Sequence, residues 1–341
     1  MQVSDYTYQL PEKRIAQCPP EQRGASRLLV LGRKSGEVEH RHYGDMVDYL
    51  NPGDVVVLND TRVIKARLEA KNAAGQSREL LLLEDHHTTD LTKRKVLYRG
   101  KIRAGEVLTI KGVKVEVEYV HEGGIAEIKS SQNLLELANH EGTVPLPPYM
   151  HREATPEDAT RYQTVFAKEA GSVAAPTASL NFTHELEQRL IKKGVKIAYL
   201  TLHVGLGTFL PIRTNNIEEH VMHSEYFEIP ENTVQVLQKA HTKRSKIVAV
   251  GTTVARTLEF AADDILHTPA HHISGEANIF IYPGYKFKLA SALLTNFHVP
   301  KSTILMLVAS FAGWTHLQAA YAEAIEKQYA FLSYGDSMLV V

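Results

Sequence analysis

The sequence predicts an α/β protein in which a short β-rich unit interrupts a mainly parallel sheet. Three observations carry this. Apolar strands bounded by turns precede residue 61. Hairpin-like strands follow from Arg62 to Leu146. Helix signals then alternate with apolar strands after Pro145-Leu146-Pro147-Pro148. The 341 residues suffice for two domains at about 150 residues each. The expected division is a discontinuous α/β domain over 1–61 and 147–341, with residues 62–146 as the inserted β unit.

Leu28–Leu31 and Asp54–Leu58 read as short buried strands of the main sheet, the second leaving an Asn51-Pro52-Gly53 turn. The insertion should hold strands at Arg78–Leu83, Lys95–Tyr98, Glu106–Ile110, Lys114–Val120 and Ile125–Ile128, with a turn at Gly123-Gly124 and one helix over Leu134–Asn139. Strands so short and so evenly spaced suit a small antiparallel barrel or sandwich. Beyond it, Thr183 can cap a helix carrying Leu186, Leu190 and Ile191 that stops at Gly194. Val195–Val204 is apolar on both faces, as a buried parallel strand requires. Further strands are expected at Ile247–Val250, Ile279–Ile281 and Ala292–Leu294, and helices from about Thr253 and Ser302.

Composition narrows the function classes. A net charge of −1 argues against a generally basic nucleic-acid binder, although a local patch is enough for phosphate contacts. The densest run is Lys93-Arg94-Lys95 with Arg99, Lys101 and Arg103, and a smaller one is Lys243-Arg244-Ser245-Lys246; a solvated face is the competing reading of both. The single cysteine, Cys18, excludes an internal disulfide and fits a reducing compartment. The N-terminus shows no leader pattern. The longest apolar run, Ile304–Trp314, falls short of the ~20 residues of a membrane span. A cytoplasmic protein is therefore expected.

Ligands of open α/β sheets bind beyond the carboxyl ends of the strands, and here those ends are polar. They read His203-Val204-Gly205-Leu206-Gly207-Thr208-Phe209, Gly251-Thr252-Thr253, Tyr282-Pro283-Gly284-Tyr285 and Thr295-Asn296-Phe297-His298-Val299-Pro300. Gly205-Leu206-Gly207 lacks the third glycine of a dinucleotide fingerprint. His203 and His298 have the titration range for acid–base work. His220-x-x-His223-x-Glu225 has the composition of a metal site, but a hydrogen-bonded network is the commoner use of such a group. Arg161-Tyr162-Gln163 reads equally as a loop anchor, and Phe166, Phe182 and Phe209 singly read as core.

Taken together, these segments resemble a known family. They are Leu58-Asn59-Asp60-Thr61-Arg62-Val63-Ile64, Leu146-Pro147-Pro148-Tyr149, Arg161-Tyr162-Gln163-Thr164-Val165 and Gly171-Ser172-Val173-Ala174-Ala175-Pro176-Thr177-Ala178. To them are added the run from Thr201 to Phe209, Glu219-His220-Val221-Met222-His223-Ser224-Glu225, Val250-Gly251-Thr252-Thr253, Leu294-Thr295-Asn296-Phe297-His298 and Ser333-Tyr334-Gly335-Asp336. In this order and spacing they are similar to the S-adenosylmethionine:tRNA ribosyltransferase-isomerases of queuosine biosynthesis, most weakly between about Lys71 and Gly142.

The resemblance implies a discontinuous α/β domain with an inserted β-barrel. It implies transfer and isomerisation of the ribosyl group of S-adenosylmethionine onto 7-aminomethyl-7-deazaguanine at the tRNA wobble position, giving epoxyqueuosine with release of adenine and methionine. The partners implied are tRNA and S-adenosylmethionine, the latter as co-substrate, with no metal and no separate cofactor; a monomer is expected. The sulfonium acidifies the adjacent ribose carbon, so a base must take that proton and an acid must help adenine leave. The candidates are His203, His220, His223, Glu225 and His298. Expected substrate contacts are Asn59, Asp60, Arg62, Arg152, Arg161, Tyr162, Gln163, Pro176, Thr177, Asn181, Phe182, Gly205, Gly207, Thr208, Gly251, Thr252, Thr253, Arg256 and Asn296, with Arg152, Arg161 and Arg256 suited to a methionine carboxylate or a tRNA phosphate. The chain departs from the family's usual residues at Ser179, Asn181, Val254, Ala277, Asn278 and Ser291, departures expected beside the pocket. The competing readings are a non-catalytic binder of S-adenosylmethionine or tRNA and, more remotely, a metallohydrolase built on His220, His223 and Glu225.

Overall fold

The computed structural model describes residues 1–83, 89–205, 212 and 214–341. In chain order the strands are β1 Arg27–Leu31, β2 Val38–His42, β3 Val55–Asn59, β4 Thr61–Val63, β5 Arg67–Lys71, β6 Ser77–Leu82, β7 Lys93–Arg99, β8 Val107–Ile110, β9 Val113–Val120, β10 Ile125–Ser130, β11 Glu169–Ser172, β12 Lys196–Leu202, β13 Glu225–Ile229, β14 Ile247–Val250, β15 Ile273–Ala277, β16 Ala292–Asn296 and β17 Ser337–Val340. The helices are α1 Leu134–Glu141, α2 Asp158–Arg161, α3 His184–Lys192, α4 Glu231–Thr242, α5 Thr252–Phe260, α6 Ala262–His267, α7 Thr303–Ala312 and α8 Trp314–Glu326.

Among the described residues the main sheet has nine strands in the order β15-β13-β12-β3-β14-β16-β17-β1-β2. Its centre, β12-β3-β14-β16, is parallel, as is the β17–β1 pair. The remaining pairings are antiparallel, so the sheet is mixed, with its parallel run in the middle. The residues explain the centre. Val55-Val56-Val57-Leu58 and Ile247-Val248-Ala249-Val250 are apolar on both faces and wholly buried, which suits strands covered by helices on either side. One apolar layer joins the sheet to α4, α5, α7 and α8; the other joins it to α3 and the short helical turn Tyr43–Tyr49.

The strands β10-β7-β6-β5-β8-β9 close into an antiparallel barrel. On β5, Leu68 and Ala70 point inward between Arg67, Glu69 and Lys71, the period-two pattern a barrel wall needs. Closure leaves no open sheet edge. Helix α1 lays Leu134, Leu137 and Ala138 against the barrel core, and Asn133 caps it by accepting from the amides of Leu135 and Glu136. A parallel ribbon of β4 and β11 runs beside the junction. There Val63, Val144, Leu146, Met150, Tyr162 and Tyr334 form a small core of their own.

Three expectations are corrected. Ile279–Ile281 is not a strand; the edge strand is β15, which pairs antiparallel with β13 and leaves Ile279-Phe280-Ile281 to face the cavity described next. Ile191 is 51% exposed, because only Leu186 and Leu190 fall on the buried face of α3. A β-strand missing from the sequence reading, β5, completes the barrel. Among the described residues no single helix is long and apolar enough to cross a membrane.

Candidate active site

A cavity of about 440 Å³ opens beyond the carboxyl ends of the central strands. Val204 follows β12, Gly251 follows β14, and Thr295 and Asn296 end β16; all four line it. The starts of α5 (Thr252, Thr253) and α7 (Thr303, Ile304) face the same space. Pro147, Pro148, Tyr149, Ile279, Phe280 and Leu307 supply apolar wall. The junction core contributes Tyr162, and the C-terminal segment Ser333.

Two charged side chains face each other in the wall. Glu225 Oε2 lies 2.7 Å from Arg256 Nη1, with both side chains at least nine-tenths buried. Glu225 Oε1 also accepts from the Gly205 amide, at 3.1 Å, and Arg256 Nη2 donates to the Ala277 carbonyl at 3.0 Å. A buried ion pair persists only when its remaining hydrogen-bonding capacity is largely met in this way. Thr177 Oγ1 donates to Asn296 Oδ1 at 2.9 Å, tying Pro176-Thr177 to the end of β16.

His298 lines the cavity with its Nε2 2.7 Å from Thr295 Oγ1. Its carbonyl accepts from the Tyr8 hydroxyl, and its amide donates to Tyr321 Oη. Burial pushes its pKa down to about 3. At pH 7 the ring is therefore neutral, able to accept a proton or a hydrogen bond but not to serve as a cationic acid. His223 lines the rim and is exposed. Tyr149, whose hydroxyl pairs with Ser333 Oγ, is pushed up by burial to about 12 and stays protonated.

The cavity thus gathers His223, Glu225, His298, Tyr162, Pro176, Thr177, Gly251, Thr252, Thr253, Arg256 and Asn296 from the residues expected at the site. The other expected residues are not among those lining the cavity. His203 is buried, its Nδ1 2.7 Å from Thr61 Oγ1 and its ring stacked on Tyr226. His220 packs edge-on against the outer wall residue Phe280; burial and the neighbouring His223 both lower its pKa. Asn59 bonds both the amide and the carbonyl of Leu202, and Asp60 accepts from Thr201, so this pair joins β3 to β12. Burial raises the Asp60 pKa. Arg62 is exposed on β4. Arg152 forms a two-pronged pair with Asp158. Arg161 donates to the carbonyls of Pro20 and Glu21, and Gln163 brackets the backbone of Val63. Phe182 packs against Phe166. Gly205 reaches the site only through its amide. Gly207 and Thr208 lie outside the described residues.

The metal reading also loses its geometry. The Glu225 carboxylate is taken up by Arg256 and Gly205, and among the described residues no three His, Cys, Asp or Glu side chains stand together as ligands.

The departures scatter. Asn181 is buried, accepting from Ser26 Oγ at 2.9 Å and donating to the Gly335 carbonyl at 3.4 Å. Ser179 is buried with its hydroxyl unpartnered. Val254 is core on α5, Ala277 offers its carbonyl to Arg256, and Asn278 is exposed. Ser291 is not beside the pocket. It bonds the backbone of Ile247 at the amino end of β14, the far end of that strand. The wall residues Tyr149, Phe280 and Ser333 were not nominated from sequence. Tyr149 and Ser333 stood within the shared motifs, whereas Phe280 had no signal beyond its hydrophobicity.

The sequence model of a family described as "Queuosine biosynthesis protein" matches residues 3–340. An S-adenosylmethionine:tRNA ribosyltransferase-isomerase from Chlorobium chlorochromatii (strain CaD3) is 53% identical over 343 aligned residues, covering 100% of each chain. A protein of the same name from Chlorobaculum parvum is 49% identical over 342, again covering 100% of each. The chain is also similar to the crystal structure of an S-adenosylmethionine tRNA ribosyltransferase from Thermotoga maritima. That likeness has 37% identity and a TM-score of 0.57, and spans 99% of this chain and 100% of the other.

Proposed function

The chain belongs to the queuosine biosynthesis protein family, and from that membership we propose that the cavity beyond β14 and β16 is where S-adenosylmethionine meets a tRNA base. The reaction is transfer and isomerisation of the ribosyl group of S-adenosylmethionine onto tRNA. The full-length relatives bear an enzyme's name, which leaves the non-catalytic alternative without support.

One observation supports the siting. The 440 Å³ space is of small-molecule size, apolar along Pro147–Tyr149 and Ile279–Ile281 and polar where α5, Glu225 and Arg256 meet. An adenosine attached to an aliphatic sulfonium needs such a division. In this reading the acceptor is 7-aminomethyl-7-deazaguanine at the wobble position, a loop base already open to extraction. Adenine and methionine leave. His223, exposed at the rim, moves the protons that ribose deprotonation and adenine's departure require, neutral His298 hydrogen-bonds substrate, and Glu225 stays paired with Arg256 and the Gly205 amide in the wall. The chain acts as a cytoplasmic monomer without a metal or a cofactor beyond its co-substrate.

The test is adenine release from S-adenosylmethionine with acceptor tRNA, followed by mass spectrometry of the tRNA nucleosides. Adenine and epoxyqueuosine in equal amounts are expected. No adenine above the tRNA-free control would overturn the reading.

A further inference from the structure

Between β16 and α7 the turn Val299-Pro300-Lys301-Ser302 forms a lip of the cavity, and all four residues line it. The lip is held from two sides. Ser302 Oγ donates to the Val299 carbonyl at 2.8 Å and accepts from the Leu305 amide at 3.2 Å, so one hydroxyl closes the turn and caps α7. On the other side the Tyr6 carbonyl accepts from the Lys301 amide at 2.9 Å, and the Tyr8 hydroxyl donates to the His298 carbonyl.

Lys301 stands in this lip with φ +59°, a region that glycine enters freely and lysine does not. If the turn served only its own geometry, glycine would be the more stable residue. Side chains held in that region gather at ligand sites, where the strain has a use. The charge of Lys301 is also uncommitted. Of the lysine and arginine side chains lining the cavity among the described residues, Arg256 is taken up by Glu225 and the Ala277 carbonyl. The Lys301 ammonium has no ion pair and no hydrogen bond among the described residues. Lys301 is exposed, so its charge stands at the mouth of the cavity and not inside it.

We propose that Lys301 holds the backbone phosphate beside the tRNA base that enters the cavity. This rests on the reading that the base meets S-adenosylmethionine there. The carboxylate of the co-substrate is an anionic oxygen group of the same kind. The mouth favours the phosphate, because a base drawn into a pocket leaves its phosphodiester outside, whereas S-adenosylmethionine enters whole. A compact ammonium on a long stem suits such a contact.

The test titrates acceptor tRNA onto the full chain over a range of salt concentrations and measures the affinity for S-adenosylmethionine by calorimetry. Lys301→Met keeps the aliphatic stem and removes the charge. It should weaken tRNA binding and reduce the slope of log affinity against log salt by about 0.7 to 0.9, the share of one phosphate contact. Its affinity for S-adenosylmethionine should match the wild type. Lys301→Arg should keep the wild-type slope. Lys301→Gly relaxes the left-handed turn, so it should fold at least as stably as the wild type and still lose the same part of the slope. That variant separates the charge from the turn and serves if the methionine variant does not fold. A wild-type slope in Lys301→Met or Lys301→Gly would overturn this proposal alone. So would a fall in S-adenosylmethionine affinity at an unchanged slope, since the anion would then be the carboxylate. A wild-type chain that does not bind tRNA would overturn the siting of the reaction too.

Discussion

His298 ties its ring to Thr295 and borders the cavity, whereas His203 spends its ring on Thr61 and Tyr226. Different losses should follow from removing each. His298→Ala is expected to lower the rate of adenine release by about tenfold with the fold intact, the scale of one lost hydrogen bond to substrate. His203→Ala should instead cost about 1 kcal/mol of stability by removing the buried hydrogen bond to Thr61, whose hydroxyl keeps only the longer contact, 3.5 Å, to the Glu169 carbonyl. The neutral state of His298 adds a pH signature. Its folded pKa, pushed down to about 3, lies below the ~6.5 of an unfolded histidine. Between those values the unfolded chain binds more protons, so this contribution is full above about pH 6.5 and is lost as pH falls. His298→Gln should flatten the acid limb of a urea-midpoint profile across that window. Turnover unchanged in His298→Ala would remove the histidine from the chemistry. Its position at a strand end was visible in the sequence, as were those of Thr253 and Asn296. What no linear pattern shows is which side of the strand a terminal residue takes. For that reason Asn59, Asp60 and His203 could be placed at the correct end of the sheet and still turn into the seam between strands.

Strand β7 shows the same limit for charge. Lys93-Arg94-Lys95 reads as a block, but alternation turns Arg94 inward, where its guanidinium bonds the carbonyls of Asp90 and Lys93. Lys93 pairs with Glu118 at 2.8 Å, Lys95 stands opposite Glu127 in register, and Arg99 lies 3.7 Å from Glu79. The acids sit on neighbouring strands, so the run looked uncompensated only along the chain. Lys101 and Arg103, beyond the strand, remain exposed. Changing both to alanine should weaken tRNA binding and reduce the slope of log affinity against log salt by about 1.4 to 1.8, as two lost phosphate contacts would. Arg94→Gln should lower barrel stability and leave that slope alone; the reverse pattern would restore the strand itself as the contact. The missed strands have a comparable cause. Arg67-Leu68-Glu69-Ala70-Lys71 is built of helix-favouring residues with only two inward positions, and Ile273-Ser274-Gly275-Glu276-Ala277 is weakly β-forming. Both are strands because neighbours in the sheet hold them, a tertiary effect that overrides local preference.

Across the whole molecule the cavity depends on segments far apart in sequence, and Asp158 is where several of them meet. Its carboxylate receives both Nη atoms of Arg152, at 2.7 and 2.8 Å, the Thr155 amide at 2.8 Å and the Tyr334 hydroxyl at 2.8 Å. Arg152 Nε also donates to the Gln17 carbonyl. The node thus joins the N-terminal segment, the stretch after the barrel and the C-terminal turn that carries Ser333 to the cavity wall. The alternation of helices and strands and the interrupting barrel were legible because each is a local pattern repeated along the chain. This node was not, since its members are spread from Gln17 to Tyr334 and none belongs to a strand or to a shared period. Burial alone would raise the Asp158 pKa, but the hydrogen bonds from Arg152, Thr155 and Tyr334 outweigh it and hold the carboxyl well below the usual range. A folded pKa below the unfolded ~3.9 stabilises the fold at higher pH, and that contribution is lost as pH falls below about 4. Asp158→Asn should therefore cost about 3 kcal/mol at pH 7, the scale of breaking a buried pair by removing one partner. The gap from wild type should narrow steadily as the pH is lowered from 5 toward 2. Chemical denaturation across that range tests both statements, and adenine release at pH 7 should fall with the loosened wall. A variant as stable as wild type at pH 7, or a gap that does not change with acid, would show that the segments are held by the junction core of Tyr162, Met150 and Tyr334 and not by this charge.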